Sequence, residues 1–405
     1  MNILVLNCGS SSVKFQLIET SPEQMAAHSD RVLARGAVER VGEPESLLTA
    51  RRGTSAPEKR GVRAENYRGA LDEVFTWMAS AGVMRHADEI QAVGHRFVHG
   101  GHYFEHSVTI DDTTLPRIRA SSELAPLHNP HNLEAYRASR IHLPQAIHVA
   151  VFDTAFHQTM PPRAYLYGLP WAWYQEGHIR RYGFHGTSHR YVMQRFAELK
   201  HKSREAFNLI TCHLGNGSSV CAIEHGKSVD TSMGLTPLEG LLMGSRVGDL
   251  DPGALLYILK LFSLSPQDAE GILNEKSGVL ALSGVSEDMR EILKAAQQGH
   301  ARARIAIEAF CYRVAKYIGA YFLALGGVDG VIFTGGIGEH SPEIRRNICQ
   351  FLMPLGVELN DDANSDAERE ISRQNSRLAA WVIPTDEELL IAHDTVRCVL
   401  GIPCT

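Results

Sequence analysis

The chain has 405 residues, more than one hydrophobic core normally supports, so we expect two domains. Hydrophobic residues make up 44% and charged residues 21%, a balance typical of globular proteins. The net charge of −6 argues against a nucleic-acid-binding protein, and no apolar run reaches the ~20 residues that a membrane helix needs.

Seven cysteines are scattered without a C-x-x-C pair, a pattern typical of reduced thiols and not of a disulfide framework. The N-terminal segment lacks the positively charged start of a secretory signal and is interrupted early by Asn7 and Gly9. We therefore expect a cytoplasmic protein. Twenty histidines raise the hypothesis of a metal hydrolase, but no H-E-x-x-H motif is present and we expect no dedicated zinc site.

The first predicted elements are two strands joined by a serine-rich turn. Residues 2–6 form a short apolar run, and residues 13–18 alternate between apolar and polar. The pattern returns at 207–223, where apolar segments flank the glycine- and serine-rich turn at 215–219. This repetition favours two domains of related topology, although two unrelated hairpins would give the same pattern.

Helical periodicity appears in three segments. Apolar spacing predicts a helix over residues 70–78 that Gly82 ends, and a long amphipathic helix over 302–325 that Gly326 closes. A further helix is predicted over 389–400. Alternating strand and helix signals, with glycine turns at strand ends, predict an α/β fold.

A third glycine-rich segment differs from the two hairpins. The apolar strand 331–333 precedes a predicted glycine turn at 335–338, and Ser341 is then expected to cap a helix. Such a helix start offers free backbone N–H groups to an anion, although neither a Walker A motif nor a complete G-x-G-x-x-G is present. Residues 361–377 are polar and turn-rich, and we expect them to form a surface excursion.

The motifs taken together resemble the acetate kinase family, within the superfamily of acetate and sugar kinases, chaperone ATPases and actin. The matching blocks are NCGSSSVKF, GHRFVHGG, PLHNPHN, VFDTAFHQTMP, RRYGFHGTSHRYV, HLGNGSS, DTSMGLTPLEGLLMGSRVGDLDP, GGIGE and PTDEEL. Their order and completeness extend over nearly the whole chain.

The resemblance implies an α/β fold with two RNase-H-like, actin-type domains and a cleft between them. The expected N-terminal domain comprises residues 1–150, with residues 388–405 folding back onto it. The expected C-terminal domain comprises residues 151–387, binds the nucleotide and forms the interface of a homodimer.

The implied activity is reversible, Mg²⁺-dependent transfer of the ATP γ-phosphoryl group to acetate by direct in-line attack, with Mn²⁺ able to replace Mg²⁺. A propionate or butyrate kinase of the same family is an alternative. A second alternative is a non-catalytic ATP-binding module, like the actin or chaperone members of the superfamily. The charged residues described next distinguish these readings, because a scaffold has no need of them.

Phosphoryl transfer to a carboxylate brings anions together, so positioning and electrostatics supply most of the catalysis. Arg96 matches the family's carboxylate-binding arginine and Arg246 its phosphoryl-stabilising arginine, both suited to bidentate binding of oxygens. Asp153 matches the essential aspartate, and His185 the histidine that donates to the phosphoryl group. Because the substrate carboxyl is already ionised at neutral pH, we expect Asp153 to orient groups or hold Mg²⁺ through water.

Further site residues follow from the same resemblance. Asn7 and Glu387 match the metal site, and His340 replaces the family's usual asparagine, which leaves the phosphoryl donor open. Val98 favours acetate, since propionate-preferring relatives tend to have alanine there. The matching substrate positions are Val98, Leu127, His128, Phe184 and Pro237. The matching nucleotide positions are Lys14, His213, Leu214, Gly215, Asn216, Gly217, Asp288, Met289, Arg290, Gly336, Ile337, Gly338, Glu339 and His340.

Overall fold

The structure, a computed structural model, describes residues 1–9, 11–126, 128–365 and 369–403. It divides into two compact units, one formed by Met1–Ala155 with Asp386–Thr405 and the other by Phe156–Thr385. The roles expected for two domains with boundaries at residues 150 and 387 stay predictions. In the described part of the chain, no helix has both the length and the apolar character needed to cross a membrane.

Each unit contains one mixed sheet. The strands of the first unit are β1 (Asn2–Cys8), β2 (Ser12–Glu19), β3 (Arg31–Glu39), β4 (Ser46–Arg52), β5 (Glu58–Val62), β6 (Ala92–Phe97), β7 (Val108–Thr109) and β8 (Ile147–Phe152). The strands of the second unit are β9 (Asn208–Leu214), β10 (Ser218–Glu224), β11 (Lys227–Thr231), β12 (Gly330–Thr334), β13 (Arg369–Glu370) and β14 (Ala380–Val382). Over the described residues, the sheet orders are β5-β4-β3-β2-β1-β6-β8-β7 and β11-β10-β9-β12-β14-β13.

Helices pack on these sheets. Those of residues 1–155 are α1 (Pro22–Ala27), α2 (Tyr67–Ser80), α3 (Leu115–Ala120) and α4 (Asn129–His142). Those that follow are α5 (Pro162–Tyr165), α6 (Trp171–Gly177), α7 (Gly186–Leu199), α8 (Pro252–Leu261), α9 (Pro266–Glu275), α10 (Gly278–Ser283), α11 (Met289–Gln297), α12 (Ala301–Leu325), α13 (Gly335–His340), α14 (Pro342–Phe351) and α15 (Glu387–Leu400). Short 3₁₀ turns lie at Ala87–Glu89, Ser121–Glu123, Ala155–Thr159, Arg204–Ala206, Met353–Leu355 and Ala363–Ser365.

Both faces of the central strands are covered, which explains the continuous apolar run of β1. Leu4 and Leu6 pack in a core with α2 and α4, whereas Ile3 and Val5 pack against α15. Parallel strands buried on both faces typically lack the alternation of a half-exposed strand. Strands β1, β6 and β8 run parallel, so the residues at their carboxyl ends share one edge of the sheet.

The second sheet repeats this arrangement. The predicted second hairpin is confirmed by the antiparallel pairing of β9 with β10, and β9 runs parallel to β12. Ile210 and Cys212 pack against α12, whereas Leu209 packs on the other face with Phe196 of α7. The predicted end of α12 is also confirmed, since Gly326 adopts the left-handed conformation at φ 66°.

The glycine turn predicted at 335–338 is wrong, because these residues belong to the short helix α13. The side chain of Glu339 explains the helix: its Oε1 accepts the N–H of Gly335 at 2.8 Å and so supplies an acceptor at the first turn. The predicted cap of the next helix is confirmed, since Ser341 Oγ accepts from Ile344 N at 3.5 Å.

The surface excursion predicted at 361–377 is only partly correct. Asn364 and Ile371 are fully buried. Asn364 accepts a 2.8 Å hydrogen bond from the buried guanidinium of Arg345, a distant partner that the local composition does not reveal. Polar composition predicted exposure, but a buried polar side chain is stable once it is hydrogen-bonded.

Gly94 of β6 allows α15 to approach the sheet closely. A Cβ built on Gly94 would lie 2.4 Å from Thr395 Oγ1 and 2.7 Å from Ile391 Cγ2. We expect Gly94→Ala to lower the free energy of unfolding by about 1–3 kcal/mol through overpacking. Urea denaturation measures this, with Gly61→Ala as the control, because a Cβ there meets nothing within 4 Å. Equal stability of the two variants would contradict this packing of α15.

Candidate active site

In the first unit, Arg96 and Asp153 form a bidentate ion pair. Arg96 lies near the end of β6 and Asp153 directly follows β8, so the parallel pairing of these strands brings the two side chains together. Arg96 Nε and Nη2 donate to the two carboxylate oxygens of Asp153 at 2.9 and 2.5 Å. Asp153 is only 1% exposed, and low solvent exposure strengthens the attraction.

Further carboxylates surround the guanidinium of Arg96. Burial disfavours its charge, but nearby carboxylates more than offset this effect and raise the pKa of Arg96 above its ordinary value. These carboxylates belong to Asp153, Glu387 and Glu388. Arg96 Nη1 also donates to Asn7 Oδ1 at 3.0 Å. Three of the five guanidinium N–H groups are thus occupied, which leaves one on each terminal nitrogen for a further anion.

The predicted metal-site residues lie beside this ion pair. Asn7 bonds to Arg96, and its side-chain amide donates to Glu388 Oε1 at 3.4 Å. Glu387 begins α15 and acts electrostatically on Arg96. Lys14, predicted to contact the nucleotide, lies opposite Asn7 in the β1–β2 pairing and is exposed.

The oxygen atoms of this region fit Mg²⁺. Burial, with a smaller contribution from the charges of Glu388 and Glu387, raises the pKa of Asp386 to about 6. Closely spaced carboxylates of this kind gain from a divalent cation, and Mg²⁺ takes one or two carboxylates together with waters and phosphates. Among the described residues, no group of three or more His, Cys, Asp or Glu side chains could hold a metal by itself. The chain therefore fits Mg²⁺ bound together with phosphate oxygens, not a protein-only cage.

In the second unit, His185 precedes α7 in a left-handed backbone conformation with φ 56°. Its ring stacks on that of His213, with 4.3 Å between the centroids. His213 Nδ1 lies 2.8 Å from Ser188 Oγ, one turn into α7. The two predicted histidines are thus adjacent, one at a helix start and the other at the end of β9.

Hydrogen bonds connect His185 to the core of this unit. Its Nδ1 lies 2.9 Å from Ser219 Oγ, and the same hydroxyl lies 2.8 Å from His189 Nε2. His189 Nδ1 continues to Thr211 Oγ1 at 2.7 Å. Burial is the main cause that lowers the pKa of His189 well below its usual value, so this ring is neutral at pH 7.

Arg246 lies close to His185 beside Gly217. A Cβ built on Gly217 would be 3.5 Å from Arg246 Nη1 and 3.6 Å from His185 Nε2. Arg246 Nη1 donates to the carbonyl oxygen of Pro237 at 3.2 Å. Burial lowers the pKa of Arg246, and no carboxylate of the described residues pairs with it. A guanidinium without this compensation gains strongly from a bound anion.

A cavity of 790 Å³ in the second unit contains most of the predicted nucleotide positions. Its volume is in the range of small-molecule sites, roughly 300–1,000 Å³. The predicted residues that line it are Gly215, Asn216, Asp288, Met289, Arg290, Gly336, Ile337 and His340.

Other predicted nucleotide positions do not line this cavity. Leu214 belongs to the hydrophobic core and Gly338 is buried. Glu339 directs its carboxylate to the backbone N–H groups of Gly335 and Thr385. His213 and Gly217 lie instead beside His185 and Arg246, as described above.

The predicted substrate positions are distributed over both units. Val98 is half-buried two residues after Arg96, and His128 is half-buried at the start of α4. Phe184 is buried, and its carbonyl oxygen lies 3.0 Å from His157 Nε2. Pro237 is half-buried and holds Arg246 through its carbonyl. Leu127 lies outside the described residues, and the apolar pocket expected from these side chains stays a prediction.

Several residues of these clusters were not predicted. Glu388 adjoins Glu387, so the acidic pair in PTDEEL could have indicated it. Ser219 ends the turn 215–219, but only the strand register shows that it reaches two histidines. The other unpredicted cavity residues are Glu287, Leu293, Lys294, Gln297, Ser341 and Glu343. Leu293, Lys294 and Gln297 follow Arg290 at helical spacing, a signal that a helix starting at Met289 would have provided.

Comparison with known proteins identifies the family. The model of the acetokinase family matches residues 2–393. An acetate kinase of Solibacter usitatus is 50% identical, over 100% of this chain and 99% of that protein.

Two crystal structures have the same fold. The acetate kinase of Porphyromonas gingivalis is 41% identical with a TM-score of 0.92, covering 98% of this chain and 99% of that one. A propionate kinase of Francisella tularensis is 40% identical with a TM-score of 0.91, covering 99% and 100%. The predicted α/β fold with two RNase-H-like, actin-type domains is thereby confirmed, and the chain belongs to the acetokinase family.

Proposed function

We propose that this protein is an acetate kinase, which transfers the γ-phosphoryl group of ATP reversibly to acetate and yields acetyl phosphate and ADP. The observation that carries the proposal is Arg96, which Asp153 orients through two hydrogen bonds while two N–H groups remain for a carboxylate. Full-length similarity to acetate kinases supports it. A propionate or butyrate kinase is the second candidate, because the propionate kinase of Francisella tularensis is almost equally similar.

In this proposal the acceptor carboxylate binds to the terminal N–H groups of Arg96. It is ionised at neutral pH, so Asp153 serves as the partner that orients Arg96 and not as a general base. Val98 follows Arg96 by two residues and limits the room for the alkyl group of the substrate. Its side chain therefore favours acetate over larger acids, by the ~1–3 kcal/mol that one methylene typically provides.

Arg246 and His185 stabilise the transferred phosphoryl group. An acetate oxygen forms a bond to the γ-phosphorus, and the bond between this phosphorus and the leaving oxygen of ADP breaks. Charge spreads over the phosphoryl oxygens during this step, and catalysis consists mainly of positioned positive charge and hydrogen-bond donors. The uncompensated guanidinium of Arg246 and the Nε2 of His185 meet this need, since both lie beside Gly217.

The 790 Å³ cavity binds the nucleotide in this proposal. Its glycines, Gly215 and Gly336, permit close approach of the backbone, and His340 contributes imidazole contacts. Asn7 and Glu387 would hold Mg²⁺, or Mn²⁺ in its place, and the cation would shield the charge of the phosphates. Lys14, exposed beside Asn7, would add a further positive charge for the phosphates.

The substrate preference is tested by coupled ADP release with acetate, propionate and butyrate under matched conditions. We expect acetate to have the highest kcat/KM. A higher value for propionate would favour the second candidate. The acyl phosphate is trapped in parallel with hydroxylamine, and ATP binding without hydroxamate formation would instead indicate a non-catalytic module.

Arg96→Ala tests the carboxylate site. We expect the KM for acetate to rise at least about tenfold, because a charge-assisted hydrogen-bond pair is lost, while the KM for ATP changes little. Arg96→Lys retains the charge near the buried Asp153 and should show the same selective rise in a stably folded protein. Arg137→Ala, at an exposed position of α4, is the control. An unchanged acetate KM in both Arg96 variants would remove Arg96 from the carboxylate site.

Ser219→Ala tests the hydrogen bonds behind His185. If a neutral His185 donates through Nε2, its Nδ1 must accept from Ser219, which in turn accepts from His189. We expect kcat to fall about tenfold with nearly unchanged KM values, the effect of one hydrogen bond of ~1–1.5 kcal/mol. Ser228→Ala, which removes a similar hydroxyl from His157, is the matched control. Equal loss of kcat in both variants would contradict this role.

We further propose a homodimer formed through α8. This helix has no buried residue, and the apolar side chains of Leu256, Tyr257, Leu261 and Phe262 are between 57% and 64% exposed. Such a contiguous apolar surface is typical of protein interfaces. We expect sedimentation velocity to give a dimer for the wild type and a monomer for Leu256→Glu, with Ile141→Glu in the first unit remaining dimeric. Cytoplasmic location stays a prediction from the sequence.

A further inference from the structure

Arg345 is a fully buried arginine of α14, and its hydrogen-bond partners are neutral. Its Nε donates to Asn364 Oδ1 at 2.8 Å, and its Nη2 donates to the backbone oxygen of Asn364. Asn364 is itself fully buried and donates to Pro342 O at 2.8 Å. The guanidinium is thereby held by α14 and by the segment around Asn364.

The other end of the guanidinium holds the short helix α13. Arg345 Nη1 donates to the carbonyl oxygens of Gly338 and Glu339 at 2.8 and 2.9 Å. These carbonyls lie in the last turn of α13, where a cation is favoured. The first turn of α13 is held separately, since Glu339 Oε1 accepts from Gly335 N.

Helix α13 carries much of one wall of the 790 Å³ cavity. Gly336, Ile337 and His340 line the cavity, and Ser341 follows directly. A six-residue helix has little stability of its own, so its position depends on the contacts that hold its two ends. A displacement of its carbonyls would move the cavity wall.

Burying an arginine without a carboxylate is costly. Burial lowers the pKa of Arg345 to about 10, which reflects the penalty on its charged form. A hydrophobic side chain of similar size would avoid this penalty but could not bind two carbonyls and an amide at once. The directional hydrogen bonds are therefore the feature that an arginine specifically supplies here.

We propose that Arg345 is a positioning residue for nucleotide binding, which holds α13 against the cavity through the carbonyls of Gly338 and Glu339. The inference rests on the proposed function, in that it takes the cavity to be the nucleotide site. Arg345 does not line the cavity and contacts the nucleotide only through the helix that it holds.

Arg345→Lys tests the proposal, since lysine keeps the charge but loses the planar fork. The neighbouring Arg346→Lys is the matched control, because Arg346 is exposed and pairs with Asp361 outside the cavity. We expect the Kd for ADP, measured by calorimetry, and the KM for ATP to rise about tenfold in Arg345→Lys, from the loss of charge-assisted hydrogen bonds. The KM for acetate should stay within about twofold of the wild type, and Arg346→Lys should resemble the wild type.

An unchanged Kd for ADP in Arg345→Lys would overturn the proposal, as would equal losses for ADP and acetate, which a general loss of structure would produce. Asn364→Ala provides a second test if Arg345→Lys does not fold. It releases one side of Arg345 but leaves the bonds to α13, so we expect weaker ADP binding with an unchanged acetate KM, and unchanged ADP binding would overturn the proposal.

A cavity variant separates this inference from the proposed function. Leu293→Asp introduces a negative charge into the cavity wall and should abolish ADP binding. If ADP binding is lost in Leu293→Asp but unaffected in Arg345→Lys, the nucleotide site stands and the role of Arg345 is overturned. If wild-type ADP binding is unaffected by Leu293→Asp, both the nucleotide assignment and the role of Arg345 are overturned.

Discussion

The buried ion pair between Arg96 and Asp153 constrains the first unit more than any other polar contact that we describe. It joins the ends of two parallel strands, and α15 contributes the carboxylates of Glu387 and Glu388 to the same region. Removing one partner of such a pair typically costs about 3–5 kcal/mol, because the other charge remains buried. The close packing of α15 on the sheet at Gly94 and the orientation of Arg96 are therefore parts of one arrangement.

The two site arginines differ in the charges around them. Carboxylates offset the burial of Arg96 and raise its pKa, whereas burial alone acts on Arg246 and lowers its pKa. A compensated guanidinium is well oriented and attracts an additional anion only moderately, which suits a small substrate that must bind and leave. An uncompensated guanidinium gains most where negative charge accumulates, which suits a phosphoryl group in transfer. This contrast supports the division of roles proposed for the two residues.

The sequence predicted those site residues that lie where apolar runs end. Arg96 and Asp153 follow such runs, and parallel strands bring their ends together without further information. Ser219 was not predicted, because its contact with two histidines depends on strand register and helix phase. Glycine composition wrongly predicted a turn at 335–338, and polar composition wrongly predicted exposure of Asn364, because side chains elsewhere in the chain complete their hydrogen bonds. Local patterns specify elements well, but they do not specify which distant polar groups will meet.

The most direct test of the proposed site is a crystal structure with acetate, ADP, Mg²⁺ and aluminium fluoride as a planar phosphoryl mimic. We predict that the acetate carboxylate accepts hydrogen bonds from the terminal nitrogens of Arg96, which remains bound to Asp153. His185 Nε2 and the guanidinium of Arg246 should contact the fluorine atoms. Acetate bound away from Arg96, or fluoride without contact to either His185 or Arg246, would contradict the proposed roles of these residues.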